Sequence, residues 1–366
     1  MKRIATLIAA GLLALPALAH TPQQPPHQSY AEGDLALESG ETIKDFAISY
    51  VTHGTLNAKK SNAILMVTAI SGNHHRIDFM IGPGKALDPA KYFIICTDAI
   101  GNGLTTSPSN SRMQPRMEFP KFAIRDMVQS QIRLVKEKFG IDHVVAVIGP
   151  SMGGMQVLQW GVSHPDFMDA LVAMVPLART PAWSVAVLEA SRKAIMTDAA
   201  WNNGNYESPP ENGIRLWRDI LNLAARTPEM YSAQFKNGID VLPWMTAQET
   251  AALRLFDAND WIYQTWAYQL HDVGLTPGFN GDTAKALASI KAKTLILTGT
   301  KDLLNPEFEP VEIGKNIPDA TIKTISPGTV TGHAAAGGAI PADVEFLNRE
   351  TRAFLDAVTD GGKKLD

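Results

Sequence analysis

"VVAVIGPSMGGMQVLQW", residues 144–160, decides the fold. It opens on an apolar run and ends on apolar residues at helical spacing. At the corner between them Ser151 stands between Gly149 and Gly153. A strand that turns straight into a helix brings the two so close that only small residues fit two positions before and after the turn. Such a corner holds a hydroxyl at the end of a sheet, beside a helix N-terminus whose dipole favours developing negative charge. A tight turn that merely contains serine requires none of this surrounding pattern.

An alcohol is a poor nucleophile at neutral pH and needs a base, an acid to orient that base, and donors for an oxyanion. On this kind of corner the partners follow in the order Ser, acid, His, each after a strand of the same sheet. Asp302 follows "TLILTGTK" (294–301), and His333, in "TGHAAAGG" (331–338), follows "ATIKTIS" (320–326). Of the nine histidines, His333 alone lies beyond that acid. The expected oxyanion donors are the backbone amides of Ile70, after the strand "AILM", and Met152. His74 and His75 are adjacent and lack the Asp, Glu or Cys companions of a zinc site. No Gly-rich phosphate loop is present. The expectation is no metal and no cofactor.

Outward from the corner, apolar runs alternate with amphipathic segments: "AILMVTAI" (63–70), "YFIICTD" (92–98), a helix near 123–139, the corner itself, and "ALVAMVP" (170–176). Near-continuous apolar strands separated by helices predict a mostly parallel sheet covered on both faces, an α/β fold. Short antiparallel strands are expected over about 34–52. From 177 to 290 strand patterns vanish and six of the seven tryptophans appear, so this stretch reads as a helical cap inserted between strands. Most of those aromatics are expected to pack the cap, with one or two lining a substrate passage. The core domain is then 34–176 together with 291–366, ending in a helix near 343–358.

The N-terminus has a different character. Lys2 and Arg3 precede an apolar stretch that ends in Ala17-Leu18-Ala19, the three-part pattern of a secretory signal peptide over 1–19. Cleavage after Ala19 removes two positive charges and takes the net charge from −4 to −6. Residues 20–33 begin "HTPQQPPHQS" and read as a flexible leader. These features predict a secreted or periplasmic protein. No later run has the length of a membrane span. A negative net charge without long basic clusters argues against nucleic acid as a partner. The single cysteine, Cys96, sits in an apolar strand and reads as a core residue.

Four stretches resemble the homoserine O-acetyltransferase family of α/β-hydrolase-fold proteins: "IGPGKALDPAKYFIICTDAIG" (81–101), "FPKFAIRDMVQSQ" (119–131), "GPSMGGMQVLQW" (149–160) and "DLLNP" (302–306). The resemblance implies acyl transfer through an acyl-serine, a helical cap over the site, and often a homodimer formed through that cap. It also implies a substrate-binding arginine, which falls on Arg218. Three positions depart from the family pattern. Ala334 stands where an Asp after the catalytic His would hold the amino group of homoserine. Ala225 stands where the family has Tyr, seven residues after the arginine. Pro150 replaces the Gly before the serine, and its ring fixes that backbone angle.

A buried ammonium without its anion costs several kcal/mol, which disfavours zwitterionic homoserine as substrate. An exported protein also lacks acetyl-CoA, whereas water is always available. The sequence therefore predicts a hydrolase of carboxylic esters or other small acyl compounds. The alternative is an acetyl-CoA-dependent O-acyltransferase with an acceptor other than homoserine.

Overall fold

The computed structural model describes residues 24–360 and 363–365, so the proposed signal peptide, 1–19, lies outside the described residues. Eight strands form one sheet: β1 (Gln28–Ala36), β2 (Thr42–His53), β3 (Ala63–Val67), β4 (Phe93–Thr97), β5 (Val144–Pro150), β6 (Met168–Met174), β7 (Lys293–Thr298) and β8 (Ala320–Thr324). Their spatial order is β1-β2-β4-β3-β5-β6-β7-β8. β1 and β2 run antiparallel to their neighbours, and every pair from β4 to β8 is parallel.

All five residues of β3 and of β4 are buried, as are all seven of β5. Alternation explains how such a run is used: side chains along a strand point to opposite faces. In β3, Leu65 and Val67 join the core on one side of the sheet, while Ile64 and Met66 join the core on the other. The first face is covered by α1 (Ile124–Arg133) and α2 (Met152–Ser163). The second is covered by the C-terminal helix Pro341–Val358, whose Phe346, Leu347 and Leu355 pack there. Cys96 is completely buried in β4.

The leader expected over 20–33 requires correction at its C-terminal end. Gln28–Ala36 is strand, paired with β2 from Gln28↔Tyr50 to Ala36↔Thr42. Leu35 is buried against the core and supplies the apolar anchor that the polar, Pro-rich lead-in conceals. The register shifts at Gly33, which interrupted the alternation a reader of the sequence would look for.

Between β6 and β7 the chain is helical: α3 (Ala182–Met196), α4 (Glu211–Ala225), α5 (Pro228–Gln234), α6 (Val241–Leu255), α7 (Ala258–Gln269) and α8 (Thr283–Ala288). α9 (Phe308–Asn316) separates β7 from β8, and the C-terminal helix is α10. Trp201, Trp217 and Trp261 are buried in this region, whereas Trp183 is exposed. The parallel strands all end on one edge of the sheet. Ile70, Ser151, Asp302 and His333 each follow the C-terminal end of a strand there, the edge at which open parallel sheets bind ligands.

Candidate active site

Ser151 joins β5 to α2 with φ 57° and ψ −120°, a conformation that L-residues avoid. Close packing on both sides enforces it. A Cβ on Gly153 would stand 2.6 Å from the Val67 carbonyl oxygen, and one on Gly149 would stand 2.7 Å from the Val67 side chain. The Ser151 amide donates to the Met174 carbonyl at 2.8 Å, tying the corner to the neighbouring strand. The glycines of the corner are therefore required by contact with β3 and by the turn itself.

The hydroxyl of Ser151 lies 2.7 Å from His333 Nε2, and His333 Nδ1 lies 2.7 Å from Asp302 Oδ2. A carboxylate only accepts, so Nδ1 carries the proton and Nε2 is the lone pair facing the serine. Asp302 is fixed from behind: its Oδ1 accepts from the amides of Leu304 and Asn305, each at 2.8 Å. Ser151 and Asp302 are buried, at 5% and 4% exposure, while His333 remains partly open. Three side chains drawn from positions 151, 302 and 333 thus form one hydrogen-bonded line.

Ile70 and Met152 lie on the loop after β3 and at the first position of α2. Among the described residues neither amide donates to a protein acceptor. The loop after β3 is held by buried amides. Gln156 donates to the Thr68 carbonyl at 3.0 Å and accepts from Gln131 at 2.6 Å, and Gln131 accepts from Trp160 at 2.8 Å. Thus the helix that starts at Ser151 also anchors the strand end beside it.

Sequence reasoning missed two polar residues here. Tyr268, on α7, is fully buried, and its hydroxyl donates to Asn305 Oδ1 at 2.5 Å. The amide of Asn305 donates to the Val175 carbonyl at 2.7 Å, which fixes which way the side chain faces. Burial drives the pKa of the Tyr268 hydroxyl well up, so it stays protonated. Asn305 sits in the quoted stretch "DLLNP", but nothing in the cap sequence distinguishes Tyr268 from a packing aromatic.

The other candidates lie apart from this line. Arg218, half-buried on α4, donates to Gln248 at 2.8 Å and makes no hydrogen bond to Ser151, Asp302 or His333. Ala225, at the end of α4, approaches the His333 turn: its carbonyl oxygen is 3.5 Å from where a Cβ on Gly332 would be. His74 is buried, with Nδ1 2.6 Å from Asp98 Oδ2, and His75 Nδ1 lies 2.8 Å from Asp78 Oδ2. Among the described residues no group of three or more His, Cys, Asp or Glu side chains is arranged to hold a metal. None of the described helices is long and apolar enough to cross a membrane.

The geometry can be set beside known proteins. A family model described as alpha/beta hydrolase fold matches residues 62–329. Homoserine O-acetyltransferase from Methanohalobium evestigatum is 36% identical over 314 residues, which are 76% of this chain and 63% of that protein. The chain therefore spans less than two thirds of that relative's length. Homoserine O-acetyltransferase from Leptospira biflexa is 33% identical over 362 residues, covering 90% of this chain and 93% of the relative. Among solved structures, an acetylester hydrolase from Corynebacterium glutamicum matches with a TM-score of 0.87 at 28% identity, covering 93% of this chain and 99% of that one. The acetyl esterase MekB matches with a TM-score of 0.85 at 30% identity, covering 91% and 97%.

Proposed function

The chain belongs to the homoserine O-acetyltransferase family of α/β-hydrolase-fold enzymes, and from that premise we propose that it is an exported hydrolase of carboxylic esters working through an acyl-Ser151 intermediate. The observation that carries the reading is the line Ser151–His333–Asp302, with both links at 2.7 Å. His333 Nε2 takes the hydroxyl proton as Ser151 Oγ attacks the ester carbonyl, and the proton then passes to the departing alcohol. Asp302 holds the ring in the required tautomer and opposes the charge of the imidazolium. The free amides of Ile70 and Met152 receive the oxyanion. Water, activated by the same His333, then cleaves the acyl-serine.

Water is chosen over homoserine on chemical grounds. Ala334 follows His333 on the same turn and offers no carboxylate for an ammonium group, and Ala225 offers no hydroxyl. The solved acetylester hydrolase and acetyl esterase, matched over nine tenths of this chain, fit the same choice. The proposed signal peptide adds to it by placing the enzyme away from cytoplasmic acyl donors.

The second reading, an acetyl-CoA-dependent O-acyltransferase with an acceptor other than homoserine, is favoured by the names of the curated relatives. One set of measurements separates them. The mature protein should release 4-nitrophenol from 4-nitrophenyl acetate and label with a fluorophosphonate, and Ser151→Ala should abolish both. Acetyl transfer from acetyl-CoA to added alcohols that outruns free acetate would select the second reading. N-terminal sequencing of periplasmic protein that begins at His20 would establish export. Uncleaved protein in the cytoplasm would refute it.

A further inference from the structure

One face of α7 carries a buried polar residue at every fourth position: Asp260, Gln264 and Tyr268. Residues four apart lie one above the other along a helix, so the three form a row. Each grips a loop that follows a strand of the sheet. Asp260 accepts from the Ser109 amide at 2.9 Å and from the Ser109 hydroxyl at 2.6 Å. Tyr268 donates to Asn305, on the loop of Asp302. Gln264, fully buried, reaches the loop after β3. Its Oε1 accepts from the Ser71 amide at 2.7 Å, and its Nε2 donates to the Ile100 carbonyl at 3.0 Å. Gly101 leaves it room, since a Cβ there would stand 3.2 Å from Gln264 Cγ.

The Ser71 amide matters because of the turn it belongs to. Gly72 donates to the Ala69 carbonyl at 2.9 Å, which closes a turn with Ile70 and Ser71 at its centre. Ser71 has φ 49°, whereas Ile70 keeps a negative φ. That is the pattern of a type II turn, whose third position ordinarily takes glycine. A serine there is strained. The type I alternative relieves the strain by rotating the peptide between Ile70 and Ser71, which swings the Ser71 N–H to the opposite face. The buried Gln264 oxygen would then lose its donor, so Gln264 holds the turn in its strained form. On the other side Gln156, from α2, donates to the Thr68 carbonyl. Two buried glutamines from two helices thus brace the turn on either side of the uncommitted Ile70 amide.

We propose that Gln264 is a positioning residue of the acyl-transfer site: by accepting from Ser71 it locks the turn that aims the Ile70 amide, so a helix of the cap sets the oxyanion hole. The inference rests on the reading of Ile70 as an oxyanion donor and holds whether water or an alcohol resolves the acyl-serine. Negative charge on the carbonyl oxygen develops only as Ser151 attacks. A misaimed donor therefore raises the barrier and leaves ground-state binding in place. A plain cross-link between cap and sheet would make no such distinction.

Gln264→Met keeps the length of the side chain and removes the acceptor. With 4-nitrophenyl acetate, kcat is expected to fall by about ten- to a hundredfold with KM within about threefold, short of the roughly 10²–10³ that follows outright loss of an oxyanion donor. Fluorophosphonate labelling of Ser151 should slow by a similar factor, because the phosphonyl oxygen draws on the same amides. Adding Ser71→Gly separates positioning from packing. Glycine takes the positive φ without a lock, so the double variant should regain about tenfold in kcat and in labelling.

Undiminished kcat and labelling in folded Gln264→Met would overturn the inference, and so would a loss that Ser71→Gly leaves unrelieved. Should Gln264→Met fail to fold, Gln264→Asn withdraws the oxygen from Ser71 by one methylene and is held to the same loss and the same rescue. Wild-type protein that labels but does not hydrolyse the ester would refute the esterase reading alone, and the labelling rates would still judge Gln264.

Discussion

Asp302→Asn isolates what the carboxylate contributes, because the structure dictates how the new amide must sit. Oδ1 of residue 302 faces two backbone donors, the amides of Leu304 and Asn305, at 2.8 Å each. An NH2 turned toward them would lose both hydrogen bonds and leave buried donors unmatched, at about 1–3 kcal/mol each. The amide oxygen therefore stays in place, and the NH2 faces His333 Nδ1 across the 2.7 Å contact. That nitrogen must then accept, so the proton moves to Nε2 and the ring presents a donor to Ser151 in place of a lone pair. Recovering the productive tautomer requires the flip, about 2–6 kcal/mol. The imidazolium also loses a charge-assisted partner worth about 1.5–3 kcal/mol. At about 1.4 kcal/mol per decade the sum, about 3.5–9 kcal/mol, is a fall of between about 300-fold and roughly 10⁶-fold in kcat/KM. The assay is 4-nitrophenyl acetate turnover alongside urea unfolding, with stability expected within about 2 kcal/mol of wild type because the shapes match. Activity within tenfold of wild type would refute the assigned tautomer and the role of Asp302.

Tyr268→Phe should cost about 1–3 kcal/mol in urea unfolding, since it strands the buried Asn305 Oδ1; unchanged stability would count against the network. Glu32→Gln tests a buried acid on β1 whose carboxyl oxygens make no hydrogen bond. Burial pushes its pKa up from 4.5 to about 8, against the pull of Arg133 at 3.5 Å. The folded protein thus holds a proton that the unfolded chain releases, and the stability this confers is fully present below pH 4.5 and lost as pH rises toward 8. Relative to wild type, Glu32→Gln should gain stability across that window, with an upper bound of about 5 kcal/mol at about 1.4 kcal/mol per pH unit. A gap that stays flat from about pH 5 to 8.5 in denaturant titrations would refute it.

The corner at Ser151 was legible because its requirements are local. A strand, a strained residue and a helix follow one another within residues 144–163, and the glycines that permit their approach sit at fixed spacing. The order of Asp302 and His333 was legible for a related reason: a parallel sheet places the end of each strand on one edge, so position along the chain becomes position around the site. The strand hidden at Gln28–Ala36 was not legible, because its polar residues face outward and its pairing is set by β2.

The sequence by itself determined the parallel sheet, the strained serine and the order of its partners, since apolar periodicity and backbone sterics act over a few residues. Only the tertiary structure decided that Tyr268 from α7 meets Asn305, and that Ala225 at the end of α4 approaches Gly332 beside His333. Those contacts join residues scores of positions apart, and a side chain's charge or hydroxyl reads the same in a sequence whether it faces water or another element. Packing alone supplies the partner, and with it the chemistry.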